Sequence, residues 1–121
     1  YVNESEIQNL ARINASKQGI VLFRNNVGCC TTKDGRFLRF GLANESKAMN
    51  ENYKSSDLIG IKPVHITTEH IGLTIGQFVA VEIKHSEWSY SGGGREKAQL
   101  RFIDLIRDKG GLAQFNNTGD I

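Results

Sequence analysis

The stretch 78–84 limits the fold most, because it is an apolar, β-branched run that ends in a carboxylate and an ammonium group. Residues 75–84 form the strongest predicted strand of the chain. Side chains alternate along a strand, so Glu82 and Lys84 project from one face and Ile83 from the other. The pattern therefore predicts an acid and a base side by side at the end of a core strand.

A helix and a further strand follow this core strand. After a loop at 86–94, residues 95–109 have helical periodicity and end at two glycines, and residues 112–115 are typical of a short strand. We expect this strand–helix–strand crossover to be right-handed. Gln99 falls on the apolar stripe of the helix, where a buried amide needs a partner. That partner is either a backbone group of the sheet, or a metal-bound water or phosphate.

The part of the chain before residue 75 is also predicted to contain both helices and strands. The patterns predict a helix at 3–18, strands at 20–24 and 36–40, a turn or long hairpin loop at 25–35, a possible short helix near 45–50, and strands at 57–61 and 64–67. With 121 residues the chain has the length of one domain, 1–121. We predict an α/β fold in which helices flank a mixed sheet.

Composition excludes several classes of protein. The net charge is only +2, so the chain is not a general polycation that coats nucleic acid. Apolar runs are shorter than a membrane span and no secretory signal is visible, which predicts no membrane partner. Cys29 and Cys30 are adjacent, and neighbouring residues rarely form a disulfide. We expect both to be reduced, on a strand or its edge, in a cytoplasmic protein.

Two acids and a lysine at strand ends are suited to metal-assisted phosphate chemistry. Asp57 precedes a short apolar run, as Glu82 ends one, and carboxylate oxygens are the ligands that Mg²⁺ prefers. The carbonyl of Ile83 is a further candidate ligand. The metal would activate a water, and Lys84 would orient that water or neutralise the phosphate. The alternatives are a plain salt bridge between Glu82 and Lys84, and a turn capped by Asp57.

The first helix and the basic residues add weaker candidates. Glu4 and Gln8 can lean toward the sheet, and we place Glu4 ahead of Glu6 as a site residue, although an acid there also complements the helix dipole. Between residues 24 and 54 lie six basic residues against three acids. Candidate DNA contacts are Arg24, Arg36, Arg39, Lys54 and Arg95; the alternative is an ordinary solvated face. The glycine-rich run before Arg95 either cradles a phosphate or is a flexible loop.

The ordered set of these motifs resembles the VRR-NUC family, the virus-type replication and repair nucleases of the PD-(D/E)xK superfamily. The resemblance runs from residue 4 to about 115 and is carried by five stretches: Glu4–Gln8, Phe23–Gly28, Ser55–Gly60, Val81–Lys84 and Gln99–Gly111. One departure is that Ser56, not proline, precedes Asp57, a position that varies in such enzymes.

The resemblance implies a fold and an activity. The fold would be a restriction-endonuclease-like core of order αβββαβ, and the activity Mg²⁺- or Mn²⁺-dependent cleavage of DNA. By position, Asp57 and Glu82 would bind the metal, Lys84 would be the catalytic lysine, Gln99 would position phosphate or water, and Glu4 would be the helix acid. Small stand-alone members resemble phage or bacterial homodimers that cut branched DNA such as Holliday junctions, which would place a phage-encoded one in the host cytoplasm. The rival interpretations are a non-catalytic DNA-binding module with the same fold and a structural subunit.

Overall fold

A computed structural model describes residues 2–120, and its helices and strands alternate, which confirms the α/β class. The helices are α1 (Glu4–Lys17), α2 (Lys47–Asn52) and α3 (Gly94–Asp108); the strands are β1 (Val21–Arg24), β2 (Gly28–Thr31), β3 (Phe37–Phe40), β4 (Leu58–Ile61), β5 (Val79–Ile83) and β6 (Leu112–Asn116). Internal contacts divide the chain into two compact units, Tyr1–Gly60 and Ile61–Ile121. Within residues 2–120, no helix has the length and apolar character that crossing a membrane requires.

In the first unit, α1 packs on β1, and β1 is hydrogen-bonded to β4. The side chain of Asn3 caps α1 by accepting a hydrogen bond from the backbone N–H of Glu6 at 2.9 Å. The backbone N–H of Asn25 donates to the carbonyl of Asp57 at 2.8 Å, so Asp57 lies beside the end of β1. A Cβ at Gly60 would come within 1.8 Å of the Val21 carbonyl oxygen, so this pairing requires glycine.

The first unit also contains an antiparallel hairpin of β2 and β3, in which Cys29 faces Arg39 and Cys30 faces Leu38. The prediction of a loop across 25–35 was wrong in its extent, because β2 occupies Gly28–Thr31. A short turn remains, closed by a 2.7 Å hydrogen bond from Thr32 N–H to the Arg36 carbonyl. Both cysteines are free thiols on a strand, as expected.

The second unit is a strand–helix–strand arrangement in which β5 and β6 are parallel, with Val79 paired to Leu112 and Ile83 to Asn116. Ile103 and Ile106 of α3 and Ala113 of β6 are buried and form its core. The strand predicted at 75–84 is shorter, because its pairing begins only where β6 does.

The strand predicted at 64–67 was wrong. Residues 62–67 are irregular and lead into a 3₁₀ turn at Thr68–His70. The backbone N–H of Thr67 donates to Nδ1 of His70 at 3.0 Å, so a local side-chain partner takes the place of a neighbouring strand. Within the described residues, the strands form three two-stranded sheets, β1–β4, β2–β3 and β5–β6. One continuous mixed sheet therefore stays a prediction.

Candidate active site

Helix α3 brings the carboxamide of Gln99 against both polar residues at the end of β5. Nε2 of Gln99 donates to Oε1 of Glu82 at 2.9 Å, and Nζ of Lys84 donates to Oε1 of Gln99 at 2.8 Å. All three side chains are half-buried. The amide therefore bridges the acid and the lysine. These partners differ from both of the expected ones, a backbone group of the sheet and a metal-bound water or phosphate.

A plain salt bridge at the strand end is not what the structure contains. Within residues 2–120, the close ion pairs are Arg36 with Asp34 and Lys47 with Glu51. Glu82 and Lys84 are linked through Gln99 instead of directly. Because an ammonium has three donors and a carboxylate two acceptor oxygens, Lys84 and Glu82 each keep hydrogen-bonding capacity for a further group.

Aromatic rings surround the Lys84 ammonium on its other side. Its Nζ lies 5.6 Å from the centroid of the Trp88 ring and 5.7 Å from that of Phe115. The rings of Trp88 and Phe115 are themselves 4.9 Å apart, and Tyr90 lies 6.0 Å from Phe115. Cation–π attraction and the Gln99 bond together restrict where the ammonium can lie. Trp88 and Tyr90 thus pack against Phe115 of β6.

Glu96, which the sequence analysis did not single out, holds the glycine-rich loop in place. Its carboxylate accepts hydrogen bonds from the backbone N–H of Ser91 at 2.7 Å, the indole N–H of Trp88 at 2.9 Å and the backbone N–H of Gly92 at 3.2 Å. The Ser91 backbone bond, followed by the Trp88 bond, lowers the pKa of Glu96 from 4.5 to about 2.

This contact changes the interpretation of the loop. The N–H groups of Ser91 and Gly92 already bond to Glu96, so they are not open donors for a phosphate, and the loop is anchored instead of loose. The signal in the sequence was a Glu at the third helical position, from which a carboxylate can reach back to the residues before the helix.

A pocket of about 370 Å³ opens beside the bridged residues. It is lined by Ala80, Val81, Glu82, Arg95, Ala98, Gln99, Phe102 and Ile103. Arg95, a predicted DNA contact, therefore lines the same pocket as Glu82 and Gln99. The pocket thus carries one cation, one amide and one carboxylate on an otherwise apolar lining.

The two other acidic candidates, Glu4 and Asp57, line one pocket in the first unit. The pocket has a volume of about 540 Å³ and is also lined by Gln8 and Arg24. Glu6 is not among the lining residues, and the choice of Glu4 as the helix acid stays a prediction. Of the other predicted DNA contacts, Arg36 pairs with Asp34 at 3.2 Å, whereas Arg39 and Lys54 line a separate cavity of the same unit.

The metal prediction can be compared with the donors present. In residues 2–120, no three His, Cys, Asp or Glu side chains are grouped closely enough to hold a metal ion. Glu82 and the Ile83 carbonyl of the second unit, and Asp57 of the first, are hard oxygen donors of the kind that Mg²⁺ takes. Their binding of one metal ion stays a prediction.

No family model, curated protein or solved structure gives a significant match to the chain.

Proposed function

We propose that this protein is a Mg²⁺- or Mn²⁺-dependent DNA endonuclease with a restriction-endonuclease-like core, of the PD-(D/E)xK type. The observation that carries the proposal is the hydrogen-bonded chain from Glu82 through Gln99 to Lys84. A structural role for an acid and a lysine on one strand face would need only a direct ion pair. In this protein the side-chain amide of Gln99, on a helix, instead holds both side chains in fixed positions, which is what a reaction site requires.

Each proposed role follows from the chemistry of the side chain. Asp57, Glu82 and the Ile83 carbonyl are the proposed metal ligands, and a bound metal would supply Lewis acidity at the phosphate and an activated water. The Lys84 ammonium would stabilise negative charge that develops on the phosphate. Gln99 would fix the positions of both neighbours, and Glu4 would act as the helix acid.

The proposed substrate is DNA, branched DNA such as a Holliday junction in particular, cut by a homodimer during replication, repair or recombination. The resemblance to VRR-NUC nucleases supports this choice, and basic residues in both units support contact with phosphates. In the second unit, Arg95 lines the pocket beside Glu82. In the first unit, Arg24 lines the pocket beside Asp57.

The test is a cleavage assay on labelled four-way junction, flap, single-stranded and linear duplex DNA, with Mg²⁺, Mn²⁺ or EDTA. We expect cleavage with either metal and none with EDTA, and the order of rates ranks the substrates. Binding of junction DNA without cleavage in either metal would instead identify a non-catalytic DNA-binding module with this fold. If the protein neither binds nor cleaves any of these substrates, both functions are contradicted.

A further inference from the structure

A second polar cavity lies in the first unit, and its lining is basic. It has a volume of about 370 Å³ and is lined by Val27, Gly28, Cys29, Arg39, Asn44, Asn50, Lys54 and Ser55. The lining includes two cations, two carboxamides and a hydroxyl group, but no acid. Such a cavity attracts anions and repels none of them.

One wall of the cavity is built by the β2–β3 hairpin. Cys29 is the cross-strand partner of Arg39, so both project from the same face, while Cys30 and Leu38 project from the other. The Arg39 guanidinium lies 5.2 Å from the centroid of the Phe37 ring and donates to Oδ1 of Asn44 at 3.2 Å. With five donors, the guanidinium keeps most of its N–H groups for a ligand.

Asn44 makes this wall rigid. It is 3% exposed, and its Nδ2 donates to the Gly28 carbonyl at 2.7 Å and to the Phe40 carbonyl at 2.9 Å. A buried amide whose donors and acceptor are all bonded has a single orientation. The oxygen that Asn44 offers to Arg39 therefore has a fixed position, and the guanidinium is held in place before any ligand arrives.

The lining also carries a second cation, Lys54. The Lys54 ammonium bonds to the side-chain oxygen of Asn50, and the neighbouring Ser55 hydroxyl donates to the Leu42 carbonyl at 2.8 Å. Asn25 donates to that hydroxyl at 2.8 Å and anchors it further. The ammonium thus extends from a segment that is itself fixed by hydrogen bonds.

Neither cation is neutralised by an acid. Among residues 2–120, the close ion pairs involve Arg36 and Lys47, not Arg39 or Lys54. Glu51, which lies on α2 near Lys54 in sequence, pairs with Lys47 at 3.9 Å. The cavity lining thus carries two cations that no carboxylate of the described residues neutralises.

From this geometry we infer that the cavity is a phosphate-binding site, with Arg39 and Lys54 as its two cationic ligands. The planar fork of Arg39 matches two phosphate oxygens, and Lys54 supplies a point charge in the same lining. If the protein acts on DNA, the bound group is a backbone phosphodiester; that choice of source rests on the proposed function. The binding of a phosphate group by this cavity does not rest on the proposed function.

The two cysteines give a built-in probe and a matched control. The chain has two cysteines, so Cys30→Ser leaves Cys29, which lines the cavity, and Cys29→Ser leaves Cys30 on the other face. The rate of labelling by a thiol reagent is measured in EDTA, with inorganic phosphate or a single-stranded oligonucleotide, against sodium chloride at equal ionic strength. We expect phosphate to slow the labelling of Cys29 and to leave the labelling of Cys30 unchanged.

Charge-removing variants make the experiment decisive. Arg39→Gln and Lys54→Gln, each in the Cys30→Ser protein, should raise the phosphate concentration for half-protection about ten-fold, since each loses a charge-assisted hydrogen bond. Lys17→Gln, which removes an exposed charge outside the cavity, should leave it unchanged. The ratio of rates with and without phosphate is compared, because a nearby cation also changes the reactivity of the thiol itself.

Equal protection of both cysteines, or protection that survives Arg39→Gln and Lys54→Gln, would overturn the inference. Thermal unfolding identifies a variant that fails to fold. If Arg39→Gln fails to fold, Lys54→Gln still tests the inference, because Lys54 is an exposed residue. Protection by phosphate but not by the oligonucleotide would overturn the DNA backbone as the source. Because the assay is run in EDTA, its result is independent of metal-dependent cleavage.

Discussion

Gln99 is the residue on which the account depends most, because a carboxamide carries a donor and an acceptor on one rigid group. Its nitrogen bonds to Glu82 and its oxygen to Lys84. A glutamate at this position would repel Glu82, and a leucine would bond to neither neighbour. The bridge therefore explains why an amide lies on the apolar stripe of α3.

We predict that Gln99→Ala lowers kcat by about 10–100-fold with little change in KM, because it loosens the position of groups that act in the transition state. Steady-state cleavage kinetics measure this. The control is Gln77→Ala, which removes a 2.8 Å hydrogen bond to the Gly110 carbonyl away from the site. A similar loss of kcat in both variants, or a loss confined to KM, would contradict the positioning role.

Glu96 gives a prediction on pH dependence. Its pKa is lowered from 4.5 to about 2. At pH values between these two, the folded state therefore holds fewer protons than the unfolded state. Its contribution to stability is thus present above about pH 4.5 and is lost as the pH falls toward about 2. We expect Glu96→Gln to be less stable than the wild type at neutral pH, by a margin that shrinks over this range.

The measurement is denaturant unfolding followed by the fluorescence of Trp88, the single tryptophan of the chain and itself a partner of Glu96. Glu87→Gln, at an exposed acid of the same loop, is the control and should show no such trend. A margin between wild type and Glu96→Gln that is independent of pH would show that the Glu96 hydrogen bonds do not stabilise the loop.

At the level of elements, strand ends depend on partners that the sequence does not reveal. The helices α1 and α3 agree with their predictions because helical periodicity and the glycines that follow each helix are local signals. The strand at 75–84 was overextended because β5 can only be as long as its pairing with β6. The sequence placed Cys29 and Cys30 on a strand or its edge but gave no bounds for β2, because only the register with β3 sets them.

The pairing of β1 with β4 also gives a prediction. A Cβ at Gly60 would lie 1.8 Å from the Val21 carbonyl oxygen and 2.9 Å from the Leu22 Cα, so backbone would have to move. We expect Gly60→Ala to lower the free energy of unfolding by about 1–3 kcal/mol or more. Thermal unfolding of both variants measures this. Gly76→Ala, where a Cβ meets nothing within 4 Å, is the control and should have little effect. Equal stability of the two variants would contradict the close pairing.

On the scale of the whole molecule, the candidate residues are shared between the two units. Glu4 and Asp57 belong to the first unit, and Glu82, Lys84 and Gln99 to the second. Strand ends and a helix stripe were enough to single out Glu82, Lys84 and Gln99, which the structure brings together. The sequence could not predict the Gln99 bridge, the aromatic rings around Lys84 or the Glu96 anchor, because these depend on side chains from separate elements.

If Asp57 and Glu82 serve one reaction step, their replacements should not be additive. We predict that Asp57→Asn, Glu82→Gln and the double variant lose cleavage to a similar extent, because residues that act as a unit fail together. Cleavage rates under single-turnover conditions measure this, with Asp104→Asn, at an exposed acid of α3, as the control. A double variant whose loss is the product of the single losses would show that the two acids act independently.

The most direct test of the central claim compares Lys84→Ala with Lys97→Ala for DNA cleavage and DNA binding in the same preparations. Lys97 is an exposed lysine of α3, so its loss matches the change in charge without touching the bridge. We predict that Lys84→Ala abolishes metal-dependent cleavage while binding is retained, and that Lys97→Ala cleaves normally. Cleavage by Lys84→Ala at the wild-type rate, or equal loss of binding and cleavage, would contradict the assignment of Lys84 as the catalytic lysine.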